Sequence, residues 1–540
     1  MMRRPALVCA WLLLGLSWCV QAATISGPTT STTGTFTLTW PSGYHLRTEY
    51  GSWQFSGTTS QAFTNLPSGE YRFRLHTCYQ ESEPGGPTLT FCPYDSASLK
   101  VVVVTRDAEP AIVSTSAAGT TAYRADVSLR GSATIEVPIQ VLPGINGFAP
   151  SLSLRYDSAR SGDVTDFYTA EDTLGYGWHL AGSSVITRCR GGLSGAPKPL
   201  LDTGDRLCLD GQPLKLISGS YWSSGAEYRT EAQSFVKVIN MGTWFEVWHP
   251  DGRVARYGDT TDSQVIASGR FQQVSAWAGA RPTYLWAVRQ VTNGFGDTMT
   301  YAYDRFDPYG MVQLKSISYG GATVELKYGP RADLANVQIG PAVTYIWRQA
   351  YLHTIRVKMN GVNVREYRLD SNLNGGRMRL ERIQECGYDI GGTTATCLNP
   401  LTVAWTAISG AASPISVTTF TDGLGAITQF LYTAITTSSN PTSYAEAPFG
   451  STIAVANTGA RAIAVVSEIR RSDGLTSAGR RSTTFAYKGL AYASTLNRGF
   501  LGFYEVRARD LQSGVYTYTQ TRLDFPLAGV VSQRRQFTGG

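Results

Sequence analysis

The stretch IEVPIQVLPGINGFAPSLSLRYDSA, residues 135–159, contains two runs in which apolar and polar residues alternate. Alternation with a period of two is typical of half-buried β-strands. Pro143-Gly144 and Asn146-Gly147 are turn signals between the runs, and Pro150 opens the second run, where its missing N–H does least harm. The stretch therefore predicts a β-hairpin. Its apolar face is formed by Ile135, Val137, Ile139, Val141, Leu152, Leu154 and Tyr156.

The composition of the chain extends this prediction to the whole protein. A chain of 540 residues is too long for one core, and its length predicts about two to four domains. The sequence has 56 Gly and 29 Tyr, and only 16% of its residues are charged. This composition favours short strands and turns, and no stretch beyond the N-terminus has a convincing helical period. We predict an all-β fold.

The N-terminus has the pattern of an export signal. Arg3 and Arg4 precede an apolar run at residues 6–20, and small residues follow near Ala22. The run is shorter than the ~20 residues that span a bilayer, so it predicts a cleaved signal peptide over residues 1–22. We expect an exported protein, secreted or with a periplasmic or cell-surface stage, and no transmembrane segment in the mature chain.

The net charge of the chain is modest. Loss of Arg3 and Arg4 lowers the formal net charge from +7 to +5. Lysine and arginine form no basic stripe of the kind that nucleic-acid binding requires, so we predict no nucleic-acid partner.

Six cysteines remain after removal of the signal, and they fall into neighbouring pairs. An oxidising compartment favours disulfides, and no CxxC spacing indicates a zinc site. Each disulfide would close a small loop, worth about 3 kcal/mol. Other connectivities are open to six cysteines, so the pairing is a proposal. The proposed pairs are Cys78 with Cys92, Cys189 with Cys208, and Cys386 with Cys397.

Residues 23–105 have the pattern of a small β-sandwich. The strand TFTLTW ends at Trp40, Gly69-Glu70-Tyr71 opens a later strand, and SLKVVVVT closes the unit. The pattern resembles a fibronectin type III or related immunoglobulin-like module. Residues 106–121, RDAEPAIVSTSAAGTT, are small and polar and indicate a linker.

A second unit, residues 122–257, contains the opening stretch. The segments VPIQVLPGINGFAPSLSLRYDSA, LGYGWHLAGSSVITR and DRLCLDGQPL together resemble the SpvB-type domain. That domain stands at the head of Tc-toxin B components and of many rearrangement-hotspot (RHS) proteins.

A third unit, residues 258–540, repeats a hairpin theme. A Leu-x-x-Ile element recurs, and Asn360-Gly361 is a two-residue hairpin turn between TIRVKM and VNVREYRL. NGFGDTMTYAYD and VELKYG resemble degenerate tyrosine-aspartate repeats of RHS proteins. NRGFLGFYEVRARD and LDFPLAGVVSQRRQF are similar to the segment before the repeat region of Tc-toxin B components. The unit is therefore expected to form an RHS-like antiparallel β-strip. The Leu-x-x-Ile pairs are Leu314 with Ile317, Leu352 with Ile355, and Leu380 with Ile383.

The resemblance implies a function without a reactive centre. In these families a spiralling β-strip forms a hollow shell around a toxic C-terminal polypeptide, and the hairpin at Ile135 is expected to belong to that wall. The implied protein is a secreted, virulence-type shell segment. Its implied partners are a C-terminal cargo or the remaining RHS shell, with a Tc-A-like translocation component or a cell-surface receptor beyond. The families continue into a repeat-rich half, whereas this sequence stops at QFTGG. We therefore expect a truncated product, a fragment or one part of a split assembly.

One segment matches the pattern of a calcium loop. In DSNLNGGRMRLE, residues 370–381, the oxygen ligands would be Asp370, Asn372, Asn374 and the bidentate Glu381. The EF-hand holds such a loop between helices, whereas the flanks NVREYRL and MRLERIQEC have strand patterns. We favour a hairpin here over a metal site.

Catalytic motifs are not found in the sequence. There is no GxSxG, HExxH or phosphate-binding glycine loop, and the five histidines are scattered over the three units. Glu171 and Asp172 are adjacent, so on a strand they point to opposite faces and do not form a glycosidase pair. The segment RSTTFAYKG, residues 481–489, is not followed by the Glu-x-Glu of an ADP-ribosyltransferase. We expect no enzyme activity and no cofactor.

The tryptophans support an alternative. Alternation in TWFEVWHP places Trp244, Glu246 and Trp248 on one face of a strand. A stand-alone secreted adhesin or carbohydrate-binding protein is therefore the second hypothesis, and a hydrolase in the third unit is a third with little support. The tryptophans close in sequence are Trp222, Trp244, Trp248, Trp277 and Trp286.

Overall fold

The computed structural model describes most of the chain beyond the predicted signal, which lies outside the described residues. The described residues are 23–31, 33–48, 54–55, 58–64, 69–77, 79–81, 89–91, 94–103, 110–115, 117–159, 171–189, 199, 201–266, 282–305, 312–339, 344–374, 377–408, 415–435, 463–474, 479–493, 499–524, 527 and 529–538. They fall into two compact units, Met1–Asp107 with Arg305–Asp307, and Ala108–Asp304 with Pro308–Gly540. No described helix is long and apolar enough to cross a membrane.

The first unit consists of small β-sheets around an aromatic core. Its sheets have the strand orders β1-β9-β6-β3-β4, β2-β5 and β7-β8. The ring of Phe36 lies 5.0 Å from that of Phe63 and 6.1 Å from that of Phe73, so strands of two sheets share one core. Trp40 is buried there. The strands are β1 (Thr30–Ser31), β2 (Phe36–Thr39), β3 (His45–Thr48), β4 (Gln54–Phe55), β5 (Ser60–Phe63), β6 (Gly69–His76), β7 (Tyr79–Glu81), β8 (Leu89–Phe91) and β9 (Tyr94–Val103).

The second unit opens with a four-stranded sheet of order β10-β11-β12-β15 and a two-stranded sheet β13-β14. The predicted hairpin is β11 paired antiparallel with β12, with Ile135 opposite Tyr156 and Val137 opposite Leu154. All four of these side chains are buried, as the alternation predicts. The strands are β10 (Arg124–Val127), β11 (Ala133–Ile139), β12 (Leu152–Asp157), β13 (Glu171–Asp172), β14 (Gly175–Tyr176) and β15 (Trp178–Ala181), with a 3₁₀ turn at Ile145–Gly147.

The rest of the second unit is one antiparallel sheet of 24 strands, hereafter the long sheet, in which β16 to β39 follow in chain order. It crosses the domain boundary that the sequence placed after residue 257, because β22 pairs with β24. Its first strands are β16 (Val185–Cys189), β17 (Arg206–Leu209), β18 (Gln212–Ser218), β19 (Glu227–Thr230), β20 (Lys237–Asn240), β21 (Phe245–Trp248), β22 (Val254–Tyr257), β23 (Gln264–Ile266), β24 (Thr283–Thr292), β25 (Thr298–Arg305), β26 (Val312–Tyr319) and β27 (Ala322–Ile339), with a 3₁₀ turn at Thr261–Ser263. They are followed by β28 (Thr344–Met359), β29 (Val362–Asn374), β30 (Arg377–Tyr388), β31 (Ala395–Cys397), β32 (Leu401–Ala407), β33 (Ile415–Thr421), β34 (Ile427–Ile435), β35 (Ile463–Ser472), β36 (Arg480–Ala493), β37 (Gly499–Asp510), β38 (Val515–Thr521) and β39 (Val531–Thr538).

The four-stranded sheet packs on the long sheet and shares its core. The Val417 amide donates to the Tyr156 hydroxyl at 3.0 Å, and the Gln140 amide donates to the Tyr367 hydroxyl at 2.9 Å. The opening hairpin therefore covers the long sheet. The wall interpretation predicts that the hairpin is part of the long sheet, whereas the structure places it in a separate sheet. The reason is that β12 pairs with β15 on its second edge, which closes the hairpin into its own sheet.

Two of the three Leu-x-x-Ile pairs, Leu352 with Ile355 and Leu380 with Ile383, span a β-bulge. Residues three apart on a regular strand lie on opposite faces, yet Leu380 and Ile383 are both buried. The pairing shifts between Asp370 and Ser371, so Glu381 has no opposite residue. One extra residue restores both apolar side chains to the core, and such a bulge also bends the strand and increases its twist. The pairing of β27 with β28 shifts in the same way between Lys327 and Tyr328, so His353, which lies between Leu352 and Ile355, has no opposite residue.

Candidate docking edge of the long sheet

The last strand of the long sheet is an edge. β39 pairs with β38, and no strand within the described part of the chain pairs with its other side. All eight of its residues are exposed, including Phe537 at 52% and Val531 at 46%. An edge strand presents a row of unpaired N–H and C=O groups, which is a template for another strand.

One face of strands β37 to β39 carries arginines stacked on aromatic rings. The Arg509 guanidinium lies 5.0 Å from the Tyr516 ring centre, and that of Arg507 lies 5.8 Å from Tyr516 and 6.0 Å from Tyr518. The Tyr518 ring meets the Phe537 ring edge-on at 5.5 Å. Cation–π and aromatic contacts of this kind hold rings in fixed positions at an exposed surface. We call these five residues the aromatic edge face.

The opposite face of strands β36 to β39 is buried at β36 and exposed at β39. Tyr487 and Val506 are buried in a small core with Val465 and Phe503. The Tyr487 hydroxyl donates to the carbonyl of Val466 at 2.6 Å, and burial raises its pKa well above the ordinary value. The sheet is thus covered on one face at β36 and exposed on both faces at β39.

The middle of the long sheet has a different character, with a carboxylate buried in a charged cluster. The Glu366 side chain is fully buried and accepts hydrogen bonds from Arg356 at 2.6 Å, from Arg368 at 2.9 Å and from the Tyr388 hydroxyl at 2.9 Å. Burial alone would raise the pKa of Glu366, but the hydrogen bonds from Arg368 and Arg356 outweigh it and hold this pKa below its ordinary value. The cluster ties β28, β29 and β30 together.

The predicted linker is held against the same strands. Buried Gln384 binds both backbone groups of Val113: the Val113 amide donates to its Oε1 at 3.0 Å, and its Nε2 donates to the Val113 carbonyl at 2.7 Å. Arg368 donates to the Ala111 carbonyl at 2.7 Å. Described residues of the segment 106–121 are thus bound to the long sheet through their backbone, which a polar composition alone did not indicate.

Two of the three proposed cysteine pairs are disulfides in the structure. Cys189 is bonded to Cys208, which joins β16 to β17, and Cys386 is bonded to Cys397, which joins β30 to β31. Cys78 and Cys92 lie outside the described residues.

The calcium-loop residues lie in the hairpin of β29 and β30. Asp370 accepts a hydrogen bond from the Arg382 side chain across the strand pair, and Asn372 is exposed opposite Arg379. Asn374 and Glu381 occupy the two strands, and Gly375 lies outside the described residues. No cluster of three potential metal-binding side chains occurs in the described ranges. The calcium interpretation remains a prediction.

The remaining candidates are scattered. Glu171 and Asp172 lie in β13, opposite Tyr176 and Gly175. His353 is buried and hydrogen-bonded to Thr354. Trp286 is buried, whereas Trp248 is 42% exposed, and Trp277 lies outside the described residues.

Sequence reasoning missed the aromatic edge face. Its signal was present as Arg-x-Arg at 507–509 and Tyr-x-Tyr at 516–518, each with the spacing that places both side chains on one face. What the sequence did not give was their register, in which Arg507 lies opposite Tyr518 and Arg509 opposite Tyr516.

No protein-family model and no curated protein matches this chain. Among solved structures, it is similar in fold to TcdB2-TccC3, with 13% identity and a TM-score of 0.41 over 81% of this chain and 28% of that one. It is also similar to the Photorhabdus luminescens Tc holotoxin pore, with 13% identity and a TM-score of 0.41 over 81% and 27%. A third similarity is to the N-terminal domain of effector protein SpvB from Salmonella typhimurium strain LT2, with 16% identity and a TM-score of 0.34 over 47% and 100%. The chain spans less than a third of the two toxin chains. These are the protein classes that the sequence motifs resemble.

Proposed function

We propose that this protein is a wall segment of a secreted toxin shell of the RHS and Tc-B-like kind, which encloses and docks a toxic C-terminal polypeptide. The observation that carries the proposal is the long sheet, with 24 strands in chain order that end in a strand exposed on both faces. In this proposal the long sheet forms a continuous wall, because each strand is hydrogen-bonded to the next. Export, the N-terminal module as a fibronectin-like spacer, and the lack of enzyme activity belong to the same proposal.

In this proposal the edge of β39 receives further strands of the shell. Main-chain hydrogen bonds supply the affinity of strand addition, and side chains on alternating positions supply the specificity. The aromatic edge face has the planar rings and arginines that are enriched where protein interfaces are tightest. The remaining shell or the cargo-bearing polypeptide is the proposed partner.

The test compares the isolated chain with the assembly purified from the producing organism. The intact mass and the C-terminal peptide identify the native species, and hydrogen exchange reports the amides of residues 531–538 in both samples. We expect additional polypeptide in the native species and slower exchange of these amides. A native species consisting of this chain alone, with equally fast exchange, would contradict the proposal.

A further inference from the structure

A second aromatic surface lies on the solvent face of β20, β21 and β22, near the start of the strand order of the long sheet. The inward face of these strands is buried, with Val238, Val247 and Ala255 fully covered. Trp244 and Trp248 lie on the other face, with Glu246 between them, as the alternation predicts. Trp248 is the last residue of β21, and Trp244 immediately precedes the strand.

The tryptophan rings are held in place by their neighbours on this surface. The Trp248 indole N–H donates to the Glu246 carboxylate at 2.7 Å, which fixes the ring orientation. The Lys237 ammonium lies 4.8 Å from the centre of the Trp248 ring. Trp248 nevertheless leaves 42% of its surface exposed, which is unusual for so large an apolar side chain.

The cations of this surface come from the two neighbouring strands. Lys237 lies opposite Trp248 on one side, and Arg256 lies opposite Glu246 on the other, with its guanidinium 5.8 Å from the Trp244 ring. Glu246 is engaged by the Trp248 indole. Within the described part of the chain, neither Lys237 nor Arg256 forms an ion pair with a carboxylate. Together with Glu246, these two cations give the surface one net positive charge.

We propose that this surface, formed by Lys237, Trp244, Glu246, Trp248 and Arg256, binds an acidic oligosaccharide. Sugar rings have apolar C–H faces that stack on fixed indole rings, and two rings spaced along a strand suit a chain of several sugars. The carboxylates of uronic or sialic acids would bind Lys237 and Arg256 through charge-assisted hydrogen bonds. The one net positive charge of the surface favours such an acidic chain over a neutral one by charge complementarity. The inference stands independently of the shell proposal, since neither strand partners nor cargo are required.

The test is calorimetric titration of the full chain with a hexasaccharide of alternating glucuronic acid and N-acetylglucosamine. A neutral hexasaccharide of N-acetylglucosamine is the matched ligand. We expect the acidic ligand to bind and the neutral one to bind at least about tenfold more weakly. Equal binding of both ligands, or no binding of the acidic one, would overturn the proposal.

Variants separate stacking from charge. Trp248→Ala is expected to weaken binding by about tenfold, whereas Trp248→Phe retains part of the affinity because it keeps an aromatic face. Lys237→Gln is expected to weaken binding and to reduce its salt dependence.

Phe295→Ala and Lys315→Gln remove an exposed aromatic ring and an exposed cation elsewhere, and both should bind as the unmodified chain does. Thermal unfolding establishes that each variant is folded. Unchanged affinity in folded Trp248→Ala would overturn the assignment of the site.

Discussion

The long sheet differs between its middle, where the four-stranded sheet covers it, and its last strands. In the middle, Tyr156 and Tyr367 cross between sheets to bind backbone amides, and Glu366 is fully buried among arginines. At β39 every residue is exposed, and on the neighbouring strands arginines stack on tyrosine rings. The middle is therefore a core, and the edge has the features of an interface. Substitutions should affect stability in the first region and association in the second.

The largest effect is expected from Trp178→Ala. Trp178 is fully buried and packs against Tyr156 at 5.5 Å, inside the interface of the two sheets. Loss of this side chain leaves a cavity, so we expect a loss of about 3–5 kcal/mol in the free energy of unfolding. Denaturant unfolding measures it, with Trp248→Ala as the exposed control. A loss below about 1 kcal/mol would show that the sheet interface is not a packed core.

Glu366→Gln is expected to cost about 3 kcal/mol, because it leaves Arg356 and Arg368 without their buried counter-charge. Unfolding by denaturant is the measurement. Asp524→Asn is the control, since Asp524 pairs with Arg522 at the solvent-exposed surface and its loss should change stability far less. Equal effects of the two substitutions would remove the contrast between core and surface.

The same carboxylate predicts a pH dependence. The folded pKa of Glu366 lies below its unfolded value. The contribution of the Glu366 carboxylate to the free energy of unfolding is therefore fully present above the unfolded pKa of about 4.3. This contribution is lost as the pH falls through the folded pKa. The difference in stability between the unmodified chain and Glu366→Gln should shrink on acidification below this range. A difference that stays constant down to the folded pKa would mean that the carboxylate is not stabilised as the contacts indicate.

Gln384→Leu should have a smaller effect, about 1–3 kcal/mol, because both backbone groups of Val113 lose their partner. Hydrogen exchange of residues 110–115 should accelerate. Gln512→Leu is the matched control, since the Gln512 side chain binds two backbone groups at an exposed site, the Ser482 amide and the Arg480 carbonyl. Unchanged exchange in Gln384→Leu would indicate that the segment is held by other contacts.

The smallest effect on stability is expected from Phe537→Ala. Phe537 is 52% exposed, so the free energy of unfolding should change by no more than about 0.5 kcal/mol. If the edge is an interface, the yield of native assembly should nevertheless fall while the isolated chain stays folded. Phe295→Ala provides the exposed control. A stability loss with normal assembly would place Phe537 in a core and refute the comparison.

The sequence by itself determined the local structure. Alternation predicted the β11–β12 hairpin and its buried residues, and it placed Trp244, Glu246 and Trp248 on one face. These features depend on residues close in the chain, because the period of a strand sets the side of each residue. The extended strip was expected from motif resemblance, and the structure has a sheet of 24 strands.

Only the tertiary structure decided which surfaces are covered. It placed the opening hairpin over the long sheet, where Tyr156 meets Val417, and it buried Glu366, a residue type that is normally exposed. It also set the register that stacks Arg507 and Arg509 on tyrosines, and it left β39 as an edge. These outcomes depend on pairing and packing between residues up to hundreds of positions apart. Such long-range contacts depend on the pairing registers of many strands, and the alternation of residues within one strand does not determine those registers.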